Sequence, residues 1–237
     1  MDFDPDMLRL GVAWYAIFVV STSLHEAAHA LAAWRLGDPT AYYGGQVTLN
    51  PGPHIAREPV GMIVVPILSY LMTGWMFGFA SAPYDPYWAQ RHPRRAALMS
   101  LAGPAANFGL MLLAVTIVRL GLLYGVFDNP RHIGFTTLTV AFKEGTATSV
   151  ATLVSILFTL NLVLFVFNLL PVPPLDGSGA LPLVLPERMV DQYLNALRQP
   201  GFGMMGLILA WVVMGQIFPT IHLMAINLVY LGVASYG

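Results

Sequence analysis

Cysteine is absent from this 237-residue chain, which excludes disulfides, thiolate metal ligands and cysteine nucleophiles. Charge is scarce as well. Asp, Glu, Lys and Arg make up 10% of the residues, where soluble domains carry about 25%. The formal net charge is −1, so no basic face is available to displace counterions from phosphates, which argues against nucleic acid as a partner. The first residues also lack the basic character of a secretory leader: Asp2, Asp4 and Asp6 make them acidic. The apolar run that follows is therefore expected to be a retained membrane helix. No repeat, low-complexity tract or long polar insert interrupts the sequence.

What fills the chain instead is apolar surface. Hydrophobic residues account for 57% and the mean hydropathy is +0.66. Apolar stretches lie at roughly 8–35, 60–82, 96–123, 148–171 and 202–235. Each reaches the approximately 20 residues that a helix needs to cross a bilayer, and Pro219 could divide the last into two short spans. The expected fold is an all-α polytopic membrane protein with four to six transmembrane helices and a short β-hairpin or re-entrant connector. It forms a single integral membrane domain over 1–237, with a core at about 8–180 and a C-terminal membrane segment or segments at about 202–235.

Two connectors have character. Segment 37–59 is rich in Gly and Pro, and Gly45-Gln46-Val47-Thr48-Leu49-Asn50 alternates as a short strand would. Segment 83–95 combines Trp88 with Arg91-His92-Pro93-Arg94-Arg95, the composition of an interfacial anchor. The positive-inside rule makes it cytoplasmic. The loop 186–200, with Arg188 and Arg198, falls on the same side if 96–123 and 148–171 both span. The acidic N-terminal tail joins them there if the first two stretches both cross. The connectors are too short to hold a separate extramembrane domain.

Against this background a few polar groups stand out. Glu26 lies well inside the first apolar stretch, where an ionisable group costs on the order of 3 kcal/mol on insertion scales and is kept for a partner or a function. His25 and His29 flank it four residues apart, on one face of a helix. Two imidazoles so placed can reach one Zn²⁺, with Glu26 beside the metal as a base for its water. In a soluble helix the same five residues would more often be a solvated polar face. In an apolar helix that reading leaves three polar side chains unpartnered in lipid. A catalytic zinc commonly takes a third protein ligand, and Asp176, Glu144, Asp128, His54, His132 and His222 are the candidates. Asp176 is favoured because Pro171, Pro173, Pro174 and Gly177 surround it and break any helix there. Broken helices at membrane depth occur where they line a cavity or are buried in protein. The plainer alternative is a Pro-rich exit loop with Asp176 capping the next helix.

Taken together, these residues resemble the site-2 protease family of intramembrane zinc metalloproteases, in its compact form without PDZ or regulatory domains. The likeness rests on His25-Glu26-Ala27-Ala28-His29, Gly103-Pro104-Ala105-Ala106-Asn107 and Asn168-x-x-Pro171-x-Pro173-Pro174-Leu175-Asp176-Gly177, in that order. Leu49-Asn50-Pro51-Gly52-Pro53-His54 is similar to the family's first connector. The resemblance implies one Zn²⁺ per chain held by His25, His29 and Asp176, with Glu26 as catalytic base. It implies cleavage of single-span membrane substrates within the bilayer of a prokaryotic plasma membrane, with a membrane partner for regulation. Asn107, Asn168, Asn50 and His54 are candidates for positioning substrate or water. The bland reading of the two helical amides is a helix–helix hydrogen bond worth about 0.6 kcal/mol. A rival from another class is a zinc transporter or sensor, which would be expected to show several such clusters along a path.

One geometric tension accompanies this reading. If all of the first four stretches cross, the first and fourth run antiparallel, and Asp176 emerges at the wrong depth to meet His25. Either the fourth span runs on past Asp176, or 60–82 is re-entrant and the N-terminal tail lies outside.

Overall fold

A computed structural model of the chain describes residues 5–197, 199 and 201–236. Asp2 and Asp4 of the acidic tail and Arg198 of the basic loop lie outside them. In chain order, helix α1 (Pro5–Leu36) is followed by two short helices, α2 (Thr40–Tyr43) and α3 (Pro51–Arg57). A π-helical turn at Val60–Val64 leads into α4 (Val65–Thr73), and α5 (Pro86–Arg91) precedes the long α6 (Pro93–Leu123). Two-residue strands β1 (Phe127–Asp128) and β2 (Val140–Ala141) separate α6 from α7 (Thr146–Asn168). The chain ends with α8 (Asp176–Ala180), α9 (Glu187–Leu197) and α10 (Phe202–Val229).

Lipid offers no partner for backbone N–H and C=O groups, so an apolar stretch must satisfy them within a helix. Among the described residues four helices, α1, α6, α7 and α10, are long and apolar enough to cross a membrane, which makes the fold an all-α multi-pass bundle. The 32 residues of α1 extend about 48 Å, well beyond a hydrocarbon core of about 30 Å. The division of 202–235 at Pro219 does not occur. Pro219 sits inside one continuous α10, because a single lost hydrogen bond is cheaper in lipid than the several left open by a broken helix.

Side-chain bonds fix the helix directions. Along α6, Arg95 reaches the Leu36 carbonyl (3.3 Å), the Met99 carbonyl meets His29 and Asn107 meets His25. Positions rise in α6 as they fall in α1, so the two are antiparallel. Along α7, Ile156 and Leu160 share a core with Trp14 and Phe18 of α1, and Asn161 bonds Ser21. Here both rise together, so α1 and α7 are parallel. α7 is the most enclosed of the four spans.

The segment 60–82 explains how α1 and α7 come to be parallel. Its helix turns 112° from α3 and runs back along α1 until Tyr70 Oη donates to the Met7 carbonyl (2.7 Å). Gly74, at φ +77°, then reverses the chain at an angle open to glycine. The return is extended, with the Phe79 N–H on the Gly61 carbonyl (3.1 Å) and Ser81 Oγ donating to Glu58 (2.6 Å). Both ends of the segment therefore sit on the face where α1 ends, and it is a re-entrant hairpin rather than a span.

The strand expected at 46–50 is also absent. Asn50 caps α3 by accepting from the Gly52 N–H (2.9 Å), with Pro51 at the first helical position. Gln46 is held by the Ala41 and Pro53 carbonyls. The strand pair among the described residues is β1 with β2, antiparallel, with Phe127 opposite Ala141.

The lack of native cysteine makes the topology directly testable. Single cysteines at Ala56 and Tyr84 are expected to react with an impermeant maleimide from the same membrane face, and one at Tyr124 from the opposite face. Labelling of the first two from opposite faces would show that 60–82 crosses.

Candidate metal centre

The centre is built on α1, where His25, Glu26 and His29 are all buried, at 7%, 5% and 7% exposure. The four-residue spacing sets both imidazoles on the side that faces α6 and α7. Each is held through its Nδ1 atom. His29 Nδ1 bonds the Met99 carbonyl at 2.8 Å, and His25 Nδ1 meets Asn107 Oδ1 at 2.5 Å. The two Nε2 atoms turn toward each other, 3.0 Å apart.

Asp176 completes the group from the far side. After α7 ends, turns at 169–175 fold the chain back, and Asp176 becomes the first residue of α8. It is not a helix cap: the cap position is Leu175, and no side-chain cap bond forms. The glycines of α8 allow its close approach. A side chain at Gly177 would collide with the Leu169 and Leu170 carbonyls, and one at Gly179 with Ser100 of α6. Asp176 Oδ2 then lies 3.1 Å from His25 Nε2 and 3.3 Å from His29 Nε2.

Three observations test whether these residues fit a metal ion. First, His25, His29 and Asp176 form the group of potential ligands whose donor atoms converge among the described residues. Their separations of 3.0, 3.1 and 3.3 Å approach the value of about 3.3 Å expected for tetrahedral ligands at about 2.0–2.1 Å from zinc. Second, Asp176 Oδ2 is buried with no hydrogen-bond partner, a costly state unless a cation satisfies it. Third, a Cβ at Gly103 of α6 would run into the Nε2 atoms of both histidines. Glycine keeps open the space onto which the three donors point. The donor set fits.

The remaining sequence candidates separate. Asn107 is fully buried and bonded to His25, so it belongs to the centre's supporting shell. Asn168 donates to the Leu164 carbonyl of its own helix (3.0 Å). Asn50 is an exposed helix cap, and buried His54 bonds the Thr48 carbonyl (3.0 Å) within the first connector. Glu144, Asp128, His132 and His222 do not join the converging group. Two participants escaped the sequence reading. Asn161 of α7 accepts from Asn107 Nδ2 (2.9 Å) and donates to Ser21 Oγ (2.9 Å), and the Met99 carbonyl carries no side-chain signal at all. An amide on the enclosed α7 was the available clue to Asn161.

An apolar multi-pass bundle with a buried His–His–Asp cluster defines a class of membrane proteins with the donor set of a metallohydrolase. Comparison with known families narrows it. The model for Peptidase family M50 matches residues 13–213, so the chain belongs to peptidase family M50, the site-2 protease family. It is 33% identical over 168 residues to "Putative zinc metalloprotease YwhC" of Bacillus subtilis, covering 71% of this chain and 67% of that protein. It is 32% identical over 186 residues to "Putative zinc metalloprotease Rip2" of Mycolicibacterium smegmatis, covering 78% and 61%. The Rip2 protein of Mycobacterium tuberculosis is 34% identical over 171 residues, covering 72% and 56%. The matched region thus spans roughly three fifths of the Rip2 proteins. No solved structure matches the chain.

Gly103→Ala tests the cradle. Overpacking costs about 1–3 kcal/mol, so metal affinity is expected to fall by about ten- to a hundred-fold, measured by competition with a chromogenic chelator. Unchanged affinity would mean that the metal does not occupy the space beside Gly103.

Proposed function

We propose that the chain is a zinc-dependent endopeptidase that hydrolyses peptide bonds of transmembrane segments within or near the bilayer. The observation that carries this reading is the convergence of His25 Nε2, His29 Nε2 and Asp176 Oδ2 on one point inside an apolar bundle, with Glu26 on the same turn of α1. A single zinc ion bound there supplies a Lewis acid that polarises a carbonyl and acidifies water. Glu26 takes the proton from the attacking water on its carboxylate and returns one to the leaving amine. Asn107 and the Met99 carbonyl keep the imidazoles in register through their Nδ1 atoms. The Asp176 side chain is 21% exposed, against 9% and 8% for the histidines, so the α8 side is where water and substrate approach. A substrate helix must unwind there, because its carbonyls are otherwise tied into intrahelical bonds.

The substrates on this reading are single-span membrane proteins, with a further membrane protein as regulator. The relatives are bacterial, which supports a prokaryotic plasma membrane. The basic segment around Arg91, Arg94 and Arg95 lies on the face where α1 ends, beside the Leu36 carbonyl. The positive-inside rule makes that face cytoplasmic. With 60–82 re-entrant, the N-terminus then lies outside. A zinc transporter is less well supported, since one converging cluster occurs among the described residues and a transport path calls for several.

Glu26→Gln is the decisive variant. It is expected to retain about one zinc per chain, since the ligands are untouched, and to slow cleavage of a single-span substrate by about 100- to 10,000-fold. Cleavage at the wild-type rate would overturn the protease reading. Asp176→Ala is expected to lower zinc occupancy at limiting metal. Full occupancy would remove Asp176 from the ligand set.

A further inference from the structure

A polar chain runs from the metal centre through three helices, and each of its members is almost fully enclosed. His25 Nδ1 meets Asn107 Oδ1, Asn107 Nδ2 meets Asn161 Oδ1, and Asn161 Nδ2 meets both Ser21 Oγ (2.9 Å) and the Leu157 carbonyl (2.8 Å). Asn107, Asn161 and Ser21 are each 0% exposed, so water offers no alternative partner. Every link is an amide or imidazole that could in isolation point either way.

The Leu157 carbonyl removes that freedom. It can only accept, so the Asn161 atom facing it must be the amide nitrogen. Asn161 therefore presents its oxygen to Asn107, which must answer with its own nitrogen. Asn107 is left with its oxygen toward His25, and His25 Nδ1 must carry the proton. A neutral imidazole protonated at Nδ1 has its lone pair on Nε2, the atom that points at Asp176 and His29. His29 reaches the same state in one step, because Met99 offers its Nδ1 a carbonyl.

We propose that Asn161 is a positioning residue that, acting through Asn107, fixes His25 as the Nδ1–H tautomer and keeps Nε2 free to ligate. This rests on the metal reading of the centre. It adds that the ligating state of His25 is set by a backbone carbonyl of α7, relayed by two amides. Reversing any one amide would place two acceptors or two donors against each other in a site closed to solvent. A buried unsatisfied polar group costs about 1–3 kcal/mol, so the polarity of the chain propagates from one end to the other.

Nitrogen-15 histidine spectra of the metal-free full chain in detergent micelles, at mildly alkaline pH, read the tautomer directly. His25 is assigned by loss of its signals in His25→Gln. The expected result is a protonated Nδ1 at His25, whether or not its Nε2 shares a proton with Asp176 in the absence of metal; an unprotonated Nδ1 overturns the proposal without any variant at Asn161. Asn161→Leu removes the acceptor for Asn107. It is expected to mix the His25 tautomers while leaving His29 unchanged, and to weaken Co²⁺ binding by about 10- to 100-fold. A single His25 tautomer with wild-type Co²⁺ affinity in this variant also overturns it. Asn107→Asp placed in the Asn161→Leu background supplies a group that accepts with either oxygen and has no polarity to lose. Recovery of Co²⁺ affinity is expected. No recovery means that Asn161 acts only by packing. If the wild-type chain takes up no Co²⁺, the metal reading fails instead, and the His25 tautomer is still decided by its spectrum.

Discussion

Placing His25, Glu26 and His29 on a helix surrounded by lipid and apolar side chains costs free energy that α1 cannot recover alone. On insertion scales a charge at this depth costs on the order of 3 kcal/mol, and each unpaired polar group adds more. Neighbouring elements meet that demand. α6 supplies the Met99 carbonyl and Asn107, α7 supplies Asn161, and α8 supplies Asp176. The small residues there follow from the same need. Gly103 and the glycines of α8 let backbones come close enough for short polar contacts, and small residues are what membrane helices use for close approach.

Depth is the second constraint. A donor at the end of one helix meets donors partway along another only if the two helices run in compatible directions. The re-entrant hairpin at 60–82 provides this by joining α3 to α5 without adding a crossing. α1 and α7 then run side by side, and a short return after Asn168 suffices to bring Asp176 level with His25. The bent entry at Val60–Val64 and the reversal at Gly74 are thus part of how the centre is assembled.

The sequence displayed the helical spans and the donors because both have local signatures: long apolar runs, a spacing of four, and a carboxylate among prolines. It did not display what depends on three-dimensional pairing. Hydropathy reads the same whether 60–82 crosses or returns, so its re-entrance appeared only as one way out of a parity problem. Alternation at 45–50 resembled a strand, but among the described residues it pairs with no other strand, and Asn50 was instead an ordinary helix cap. Pro219 looked like a break because a proline in water usually is one. Asn168 was singled out for its neighbours in a motif, whereas Asn161, two turns earlier, makes the contact with Asn107. Which amide on a helix faces inward depends on its rotation against α1 and α6, which no single segment records.

The donor set is divided between the beginning and the later part of the chain, and this has a consequence for timing. During synthesis the two histidines enter the membrane well before Asp176 has been made. At about 5–20 residues per second the interval is roughly 8 to 30 s. Throughout it, α1 carries His25, Glu26 and His29 without the carboxylate of Asp176, and α7 has not yet brought Asn161 against Ser21. The centre is complete only after α7 has inserted and the chain has turned back into α8. A chain still attached to the ribosome therefore lacks the complete cluster until α8 has been made and folded back against α1.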